Sequence, residues 1–451
     1  MLQINMKKLL FTLLLIPASF YAQQTVSRDA EIANYVSEIS SDSLKSHINK
    51  LVSFGTRHTM SSTTDAKKGI GAARNWVLSK FRNYAKNAEG RMEVFLQNQT
   101  IQPDGKRISQ PTDLGNAMAI LKGTDPNDKR IFMIGGHLDS RVSDVMNVKD
   151  FAPGANDDGS GVGAVIEAAR VLSKSKFPAT IVFVAFSGEE QGLLGAKMLA
   201  EKAKTENWQL EALLNNDMVG NNLTSETNLI NANQLRVFSE GLPQFELDKK
   251  AQSIRNLGLE NDGEARQLAR YIKEIGERYV DNLEVKLIYR NDRFLRGGDH
   301  TSFVNQGFAA VRLTEFNENY DHQHQDIRKE NGKQFGDLPE FMDFEYFKKN
   351  VGVNVSVLAN LAKAPSKPEN VKMEVKELTN FTTIHWDKPK NGNVSGYYVL
   401  MRETDSSTWQ KKFFTKENAI KLPYSKDNYF FAVQAVNSSG NESLIVIPSV
   451  R

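Results

Sequence analysis

Seven consecutive residues, Thr180 to Phe186, are almost wholly apolar and rich in β-branched side chains, and they lead straight into Ser187, Gly188, Glu189 and Glu190. A strand without polar alternation is covered on both faces, so this segment requires a sheet with layers packed above and below it. Short apolar runs at Met92–Phe95, Ala117–Leu121, Ile131–Ile134, Leu213–Leu214 and Ala309–Leu313 read as further strands. Helical spacing recurs at Ile32, Tyr35, Val36 and Ile39, at Ala72, Trp76, Val77 and Phe81, and through Ala164–Leu172. The pattern predicts an α/β fold, a mixed, mostly parallel sheet sandwiched by helices. The more polar, helical stretch 221–290 reads as an insertion flanking whatever site the sheet carries.

A chain of 451 residues is too long for one ordinary core, and its character changes near the end. Ala364, Pro365, Ser366, Lys367 and Pro368 form a short linker, followed by alternating strands at Val371–Val375, Thr382–Trp386, Tyr397–Arg402 and Tyr429–Val436. These residues resemble a fibronectin type III domain, with Trp386, Tyr398 and Tyr429 where that fold buries aromatics, which implies an all-β immunoglobulin-like sandwich. At the other end, Lys7 and Lys8 precede the apolar Leu9–Ile16 and a small-residue ending at Ala22, the pattern of a secretory signal. Pro17 stops this run short of the roughly 18 apolar residues that a membrane span needs. The expected division is a signal peptide at 1–22, the α/β domain at 23–363 and the sandwich at 364–451, in a secreted or periplasmic protein without a membrane span.

The balance of 57 basic and 54 acidic residues leaves a formal charge of +3, too little for a field that attracts nucleic acid or an anionic membrane. There is no cysteine, so disulfides, thiolate ligands and cysteine nucleophiles are all excluded. Any metal must sit on His, Asp and Glu.

Those residues cluster at predicted strand ends, where open α/β sheets place their ligand sites. The strand Ile131–Ile134 runs into Gly135, Gly136, His137, Leu138 and Asp139, giving a candidate ligand and a carboxylate that can orient an imidazole. Asp157 and Asp158 share a glycine-rich loop before the helix at Ala164, where packed acids repel unless a cation lies between them or the helix dipole offsets them. Of Glu189 and Glu190, one can ligate while its neighbour serves as a general base. Asp217 ends the next strand, and four of the seven histidines fall in Gly135–Asp139, Gly297–His300 and Tyr320–Asp326. Oxygen and nitrogen donors without sulfur suit Zn, Mn or Co, and a pair of such ions makes a hydrolytic clamp.

From about Asn116 to Asp326 the chain resembles the co-catalytic two-zinc peptidases that include secreted bacterial leucine aminopeptidases. The resemblance implies that two zinc ions are held by His137, Asp157, Glu190, Asp217 and His322, with Asp157 bridging. It also implies that Asp139 supports His137, that Glu189 is the general base, and that His300 lines the substrate pocket. His322 is selected because Asp326 follows it by four residues; His324 is the competitor. The function implied is hydrolysis of peptides, as an aminopeptidase. A carboxypeptidase stays open, since Arg290, Arg293, Arg296 or Arg312 could meet a terminal carboxylate, as does a glutaminyl cyclase. A non-enzymatic surface-binding protein is the reading from another class, and the terminal sandwich could attach the chain to an extracellular polymer.

Overall fold

The computed structural model describes residues 28–450, so the predicted signal peptide at 1–22 lies outside the described residues. The chain opens with three helices, α1 (Ala30–Ser37), α2 (Ser41–Val52) and α3 (Gly69–Ala85). Strands β1 (Met92–Ile101), β2 (Thr112–Leu121) and β3 (Arg130–His137) follow, then α4 (Gly159–Leu172), β4 (Thr180–Phe186), α5 (Leu194–Thr205) and β5 (Gln209–Asn216). Next come β6 (Gln234–Ser239), α6 (Gln244–Leu257), α7 (Glu264–Tyr279), β7 (Glu284–Ile288), α8 (Asp299–Asn305) and β8 (Ala310–Glu315). A small hairpin, β9 (Arg328–Glu330) with β10 (Lys333–Phe335), precedes the long α9 (Phe344–Lys363).

Eight strands form one sheet in the order β1-β2-β4-β3-β5-β8-β6-β7. The pairs β4–β3, β3–β5, β5–β8 and β6–β7 are parallel, and β1–β2, β2–β4 and β8–β6 are antiparallel. Isoleucine, valine and phenylalanine side chains of β4 divide between the two faces. Ile181 and Phe183 join a core with α2, α3, α4 and α9, whereas Val182, Val184 and Phe186 pack with α5 and Phe303 of α8. Both faces of β4 are therefore sealed from water, as its unbroken apolar sequence requires. The stretch expected to be an insertion is integral instead: β6 and β7 extend the sheet beyond β8, and α7 packs on α9. Its polar sequence misled because an edge strand and a helix covering it need only one apolar face each.

Six strands build the C-terminal unit: β11 (Glu369–Met373), β12 (Thr382–Asp387), β13 (Gly396–Glu403), β14 (Lys411–Thr415), β15 (Ala419–Leu422) and β16 (Tyr429–Val436). They form two antiparallel three-stranded sheets, β11-β12-β15 and β14-β13-β16, which enclose Ile384, Trp386, Val399 and Val433. Tyr398 is buried as expected, and alternation along β13 sets the face on which it lies. Tyr397, rather than Tyr398, stacks edge-on against Trp386 at 5.2 Å, while Tyr398 turns to the opposite face with Leu400 and Phe414.

That second face meets the α/β domain. Arg270, Glu274 and Arg278 recur every fourth residue along one side of α7 and contact Asp262, Ser407, Lys412 and Glu442. The predicted linker is also held, because Arg130 donates to the carbonyls of Ala364 and Pro365 at 2.8 and 3.0 Å. Among the described residues no helix is long and apolar enough to cross a membrane.

Candidate functional site

The parallel strands β3, β4 and β5 deliver His137, the Ser187–Glu190 turn and Asp217 to one edge of the sheet. Close approach of α4 makes this possible: a Cβ on Gly136 would lie 2.5 Å from the backbone of Gly161, so only glycine lets the helix start there. Asp158 then caps α4, accepting from Gly161 N at 2.8 Å, and also accepts from His137 N and Met218 N at 2.9 and 3.1 Å. The second acid of the glycine-rich loop is thus committed to backbone. Asp157, its neighbour, is left facing the cleft.

Two groups of side chains share Asp157. Nε2 of His137 is 3.2 Å from Asp157 Oδ1 and 3.9 Å from Asp217 Oδ1. On the other side, Nε2 of His324 is 2.9 Å from Asp157 Oδ2 and 2.8 Å from Glu190 Oε1. In each trio the donor atoms lie within 4.8 Å of one another, close enough to hold one metal ion. The imidazole of His137 turns Nδ1 toward the carbonyl oxygen of Asp139 at 3.0 Å, which leaves Nε2 to face the acids.

Asp139 therefore supports the site differently from expectation. Its carboxylate stands 3.7 Å from His137 Nδ1 and instead accepts from the backbone N–H of Gly188, Glu189 and Glu190 at 2.9, 3.2 and 3.1 Å. It fixes the turn that presents the two glutamates. Glu189 is partly buried. Burial, with Glu190 and Asp217 nearby, raises its carboxyl well above the usual range, the direction a proton acceptor at neutral pH needs.

Two sequence assignments are overturned. His322 is not at either trio: it stacks on Phe341 with ring centroids 3.8 Å apart, and burial holds its pKa down to about 4. His324 takes the expected place: its backbone adopts a left-handed φ of 54°, and its ring faces Asp157 and Glu190. Asp326, which had selected His322, accepts from Ser143 Oγ at 2.6 Å. His300 does not line the cleft either. It is fully buried in the first turn of α8, with Nε2 2.7 Å from the carbonyl of Asn291.

Several supporting contacts carried no sequence signal. Asp337 accepts from the N–H groups of Asn156 and Asp157, and burial together with Asp157 pushes its pKa up to about 7. The fully buried Arg57 donates to the carbonyls of Leu138, Pro153 and Gly154, clamping the loop that carries Asp157. Arg312 lies 3.2 Å from Asp217 Oδ1 and 2.7 Å from Asp292 Oδ1, so the cation nearest the site is itself buried and engaged. These contacts join segments far apart in the chain, where no local pattern can announce them.

The trios open into a cleft of about 270 Å³. A roomier concavity of about 990 Å³, between α6 and the C-terminal sheets, contains no such cluster of acids and imidazoles among the described residues.

Residues 116–338 match peptidase family M28. A probable zinc metalloprotease of Leptosphaeria maculans is 42% identical over 421 residues, covering 93% of this chain and 97% of the relative. Among solved structures, the LapA aminopeptidase of Legionella pneumophila superposes with a TM-score of 0.53 at 21% identity, covering 75% of this chain and 76% of that one. LapB of the same organism gives 0.52 at 16% identity, with the same coverage. These two share the fold. With near-complete coverage by a relative of that identity and the family's match spanning every residue of both trios, the chain belongs to peptidase family M28.

Proposed function

We propose that the protein is a zinc-dependent exopeptidase, an aminopeptidase that removes N-terminal residues from peptides. The observation that carries this reading is the single carboxylate of Asp157 shared between two three-residue groups, with Glu189 beside them and outside both. The donor set fits two divalent ions. His324 Nε2 carries at most one proton yet lies within 2.9 Å of two carboxylate oxygens, so a single N–H would have to serve both, whereas a shared cation meets all three donor atoms. His137, Asp157 and Asp217 would hold one ion, and Asp157, Glu190 and His324 the other. When bound, zinc supplies Lewis acidity that makes water a stronger acid and offsets charge developing on a carbonyl oxygen.

The chain's own groups do the rest. Glu189 takes a proton from the attacking water and returns it to the departing amine. Asp139 holds the backbone of Glu189 and Glu190 so that the base and the ligand point in different directions. Arg312 fixes Asp217 from behind. The carboxypeptidase reading keeps one support, because Arg293 and Arg296 do line the cleft, whereas Arg312 is buried and Arg290 stacks on Phe294. Export is the reading of the leader at 1–22, and a mature chain beginning at Gln23 outside the cytoplasm would bear it out.

The decisive assay offers amino-acid p-nitroanilides and N-acyl dipeptides to protein stripped of metal and reloaded with zinc. Release from free-amine substrates, dependent on zinc and nearly lost in Glu189→Gln, is the expected result. Cleavage of blocked dipeptides alone would transfer the activity to the other end of the peptide.

A further inference from the structure

The cleft wall is unusually rich in guanidinium groups. Arg107, Arg141, Arg293 and Arg296 all line it, alongside Asp157, Glu189, Glu190 and Asp217. Their engagements differ. Arg293 is bound to Asp292 and Glu318 at 3.2 and 2.8 Å. Arg141 sits 3.9 Å from Glu190 Oε2 and spends its other nitrogens on the carbonyls of Val142 and Ser143. Arg107 donates to the backbone carbonyl of Glu190 at 2.5 Å, and Arg296 to the side-chain oxygen of Gln323 at 3.5 Å. Both are exposed, and neither has a carboxylate partner among the described residues.

Charge accounting, which rests on the two-ion reading above, then gives the cleft a sign. Four carboxylates carry four negative charges, and two divalent ions cancel them. Arg141, whose carboxylate neighbour is Glu190, is uncompensated on the same count but is half-buried and engaged by two backbone carbonyls. Arg107, tied to the turn after β4, and Arg296, tied to the loop that carries His324, are the uncompensated cations that are exposed. A free guanidinium at the mouth of a partly desolvated cleft favours a planar anion that it can bind through two N–H groups. In a peptide, that anion is a carboxylate. Arg107 and Arg296 line the same cleft as Glu189 and both trios, which puts such a carboxylate close to the scissile bond.

We propose that Arg107 and Arg296 make the enzyme selective for short peptides that place a carboxylate beside the scissile bond, either as an acidic side chain or as the free C-terminus of a di- or tripeptide. The two residues are specificity determinants and leave the hydrolytic step to the groups already described.

The test compares kcat/KM of zinc-loaded enzyme on two matched pairs. Leu-Ala against Leu-Ala-amide isolates the terminal carboxylate, and Leu-Glu-amide against Leu-Gln-amide isolates the side chain. At least one pair is expected to favour its carboxylate member by about tenfold, the scale of a charge-assisted contact. That ratio should shrink with added salt, fall to within about twofold in the R107Q/R296Q double variant, and return in part in R107K/R296K. Equal rates within both pairs, or a preference that survives the double variant, would overturn the proposal. Calorimetric titration of the same peptides into zinc-loaded Glu189→Gln separates recognition from turnover. Carboxylate-selective binding without turnover by the wild type would sink the peptidase reading and keep this one, whereas turnover with charge-blind binding does the reverse.

Discussion

Two clusters of buried charge in this protein are balanced in different ways. Between α7 and the C-terminal sheets, Asp262 is held by Arg270 and Arg402, both at 2.7 Å, and Glu442 by Arg278 and Lys412 at 2.8 and 3.1 Å. Glu274 pairs with Arg278 and Lys412 as well. Every acid there has two cations, and the cluster is complete as it stands. At the sheet edge, Asp157, Glu189, Glu190 and Asp217 face one another with two imidazoles between them, and the one guanidinium that reaches Asp217 already serves Asp292. Uncompensated burial of ions is costly. The first cluster therefore joins two parts of a fold, while the second is built to receive charge from outside.

The largest expected effects probe the unbalanced cluster. Glu189→Gln should lower kcat by roughly 10²–10⁴ while leaving bound zinc unchanged, since it removes only the proton acceptor. His324→Ala should remove about one of two zinc ions per chain and nearly all activity, whereas His322→Ala should keep both; metal analysis of dialysed protein decides between them. Equal zinc loss in the two histidine variants would contradict the geometry described for the loop.

Next in size is the balanced cluster. Glu442→Ala strands Arg278 and Lys412 beside Glu274 in a buried setting and should cost about 3–5 kcal/mol of unfolding free energy by denaturant titration. Catalysis by the folded fraction should be unaffected, as the residue is not among those that line the cleft. A negligible change in stability would mean that the C-terminal sheets only rest against α7.

The smallest effect is a difference in pH response. In the metal-free protein Asp337 keeps its proton up to about 7, while an unfolded chain loses it near 3.8. The native state then binds more protons across that window, so its stability falls as pH rises through it. Glu274 behaves oppositely. Burial would raise its pKa, but Lys412 and Arg278 outweigh burial and hold it below 4.5. Its contribution is complete above 4.5 and is lost as pH falls through the depressed value. Thermal unfolding of chelator-treated protein should show both trends, and zinc should abolish the decline toward neutral pH without altering the acid limb.

Much of the site was legible because its chemistry rides on strand ends. Once Ile131–Ile134 and Thr180–Phe186 are read as neighbouring parallel strands, His137 and the Glu189–Glu190 pair must emerge on the same edge, and Asp217 follows from the next strand. His324 was misjudged in favour of His322 because both lie in a loop, where spacing to Asp326 says nothing about which ring turns inward. His300 was placed at the pocket by motif, yet the helix that begins at Asp299 rotates it into the core.

What the sequence alone determined is the set of local periods: apolar runs long enough to be buried strands, helices between them, and acids and imidazoles confined to strand ends and glycine-rich turns. These follow from each residue's own preference for water, backbone conformation or a cation, and they need no distant partner. Tertiary structure decided which imidazole completes the second trio, which arginines are consumed by buried acids and which reach the cleft, and how the terminal sheets dock on α7. Those outcomes depend on electrostatic and packing contacts between residues far apart in the chain, 181 positions for Asn156 with Asp337 and 164 for Arg278 with Glu442. Such contacts exist only after the chain has closed on itself.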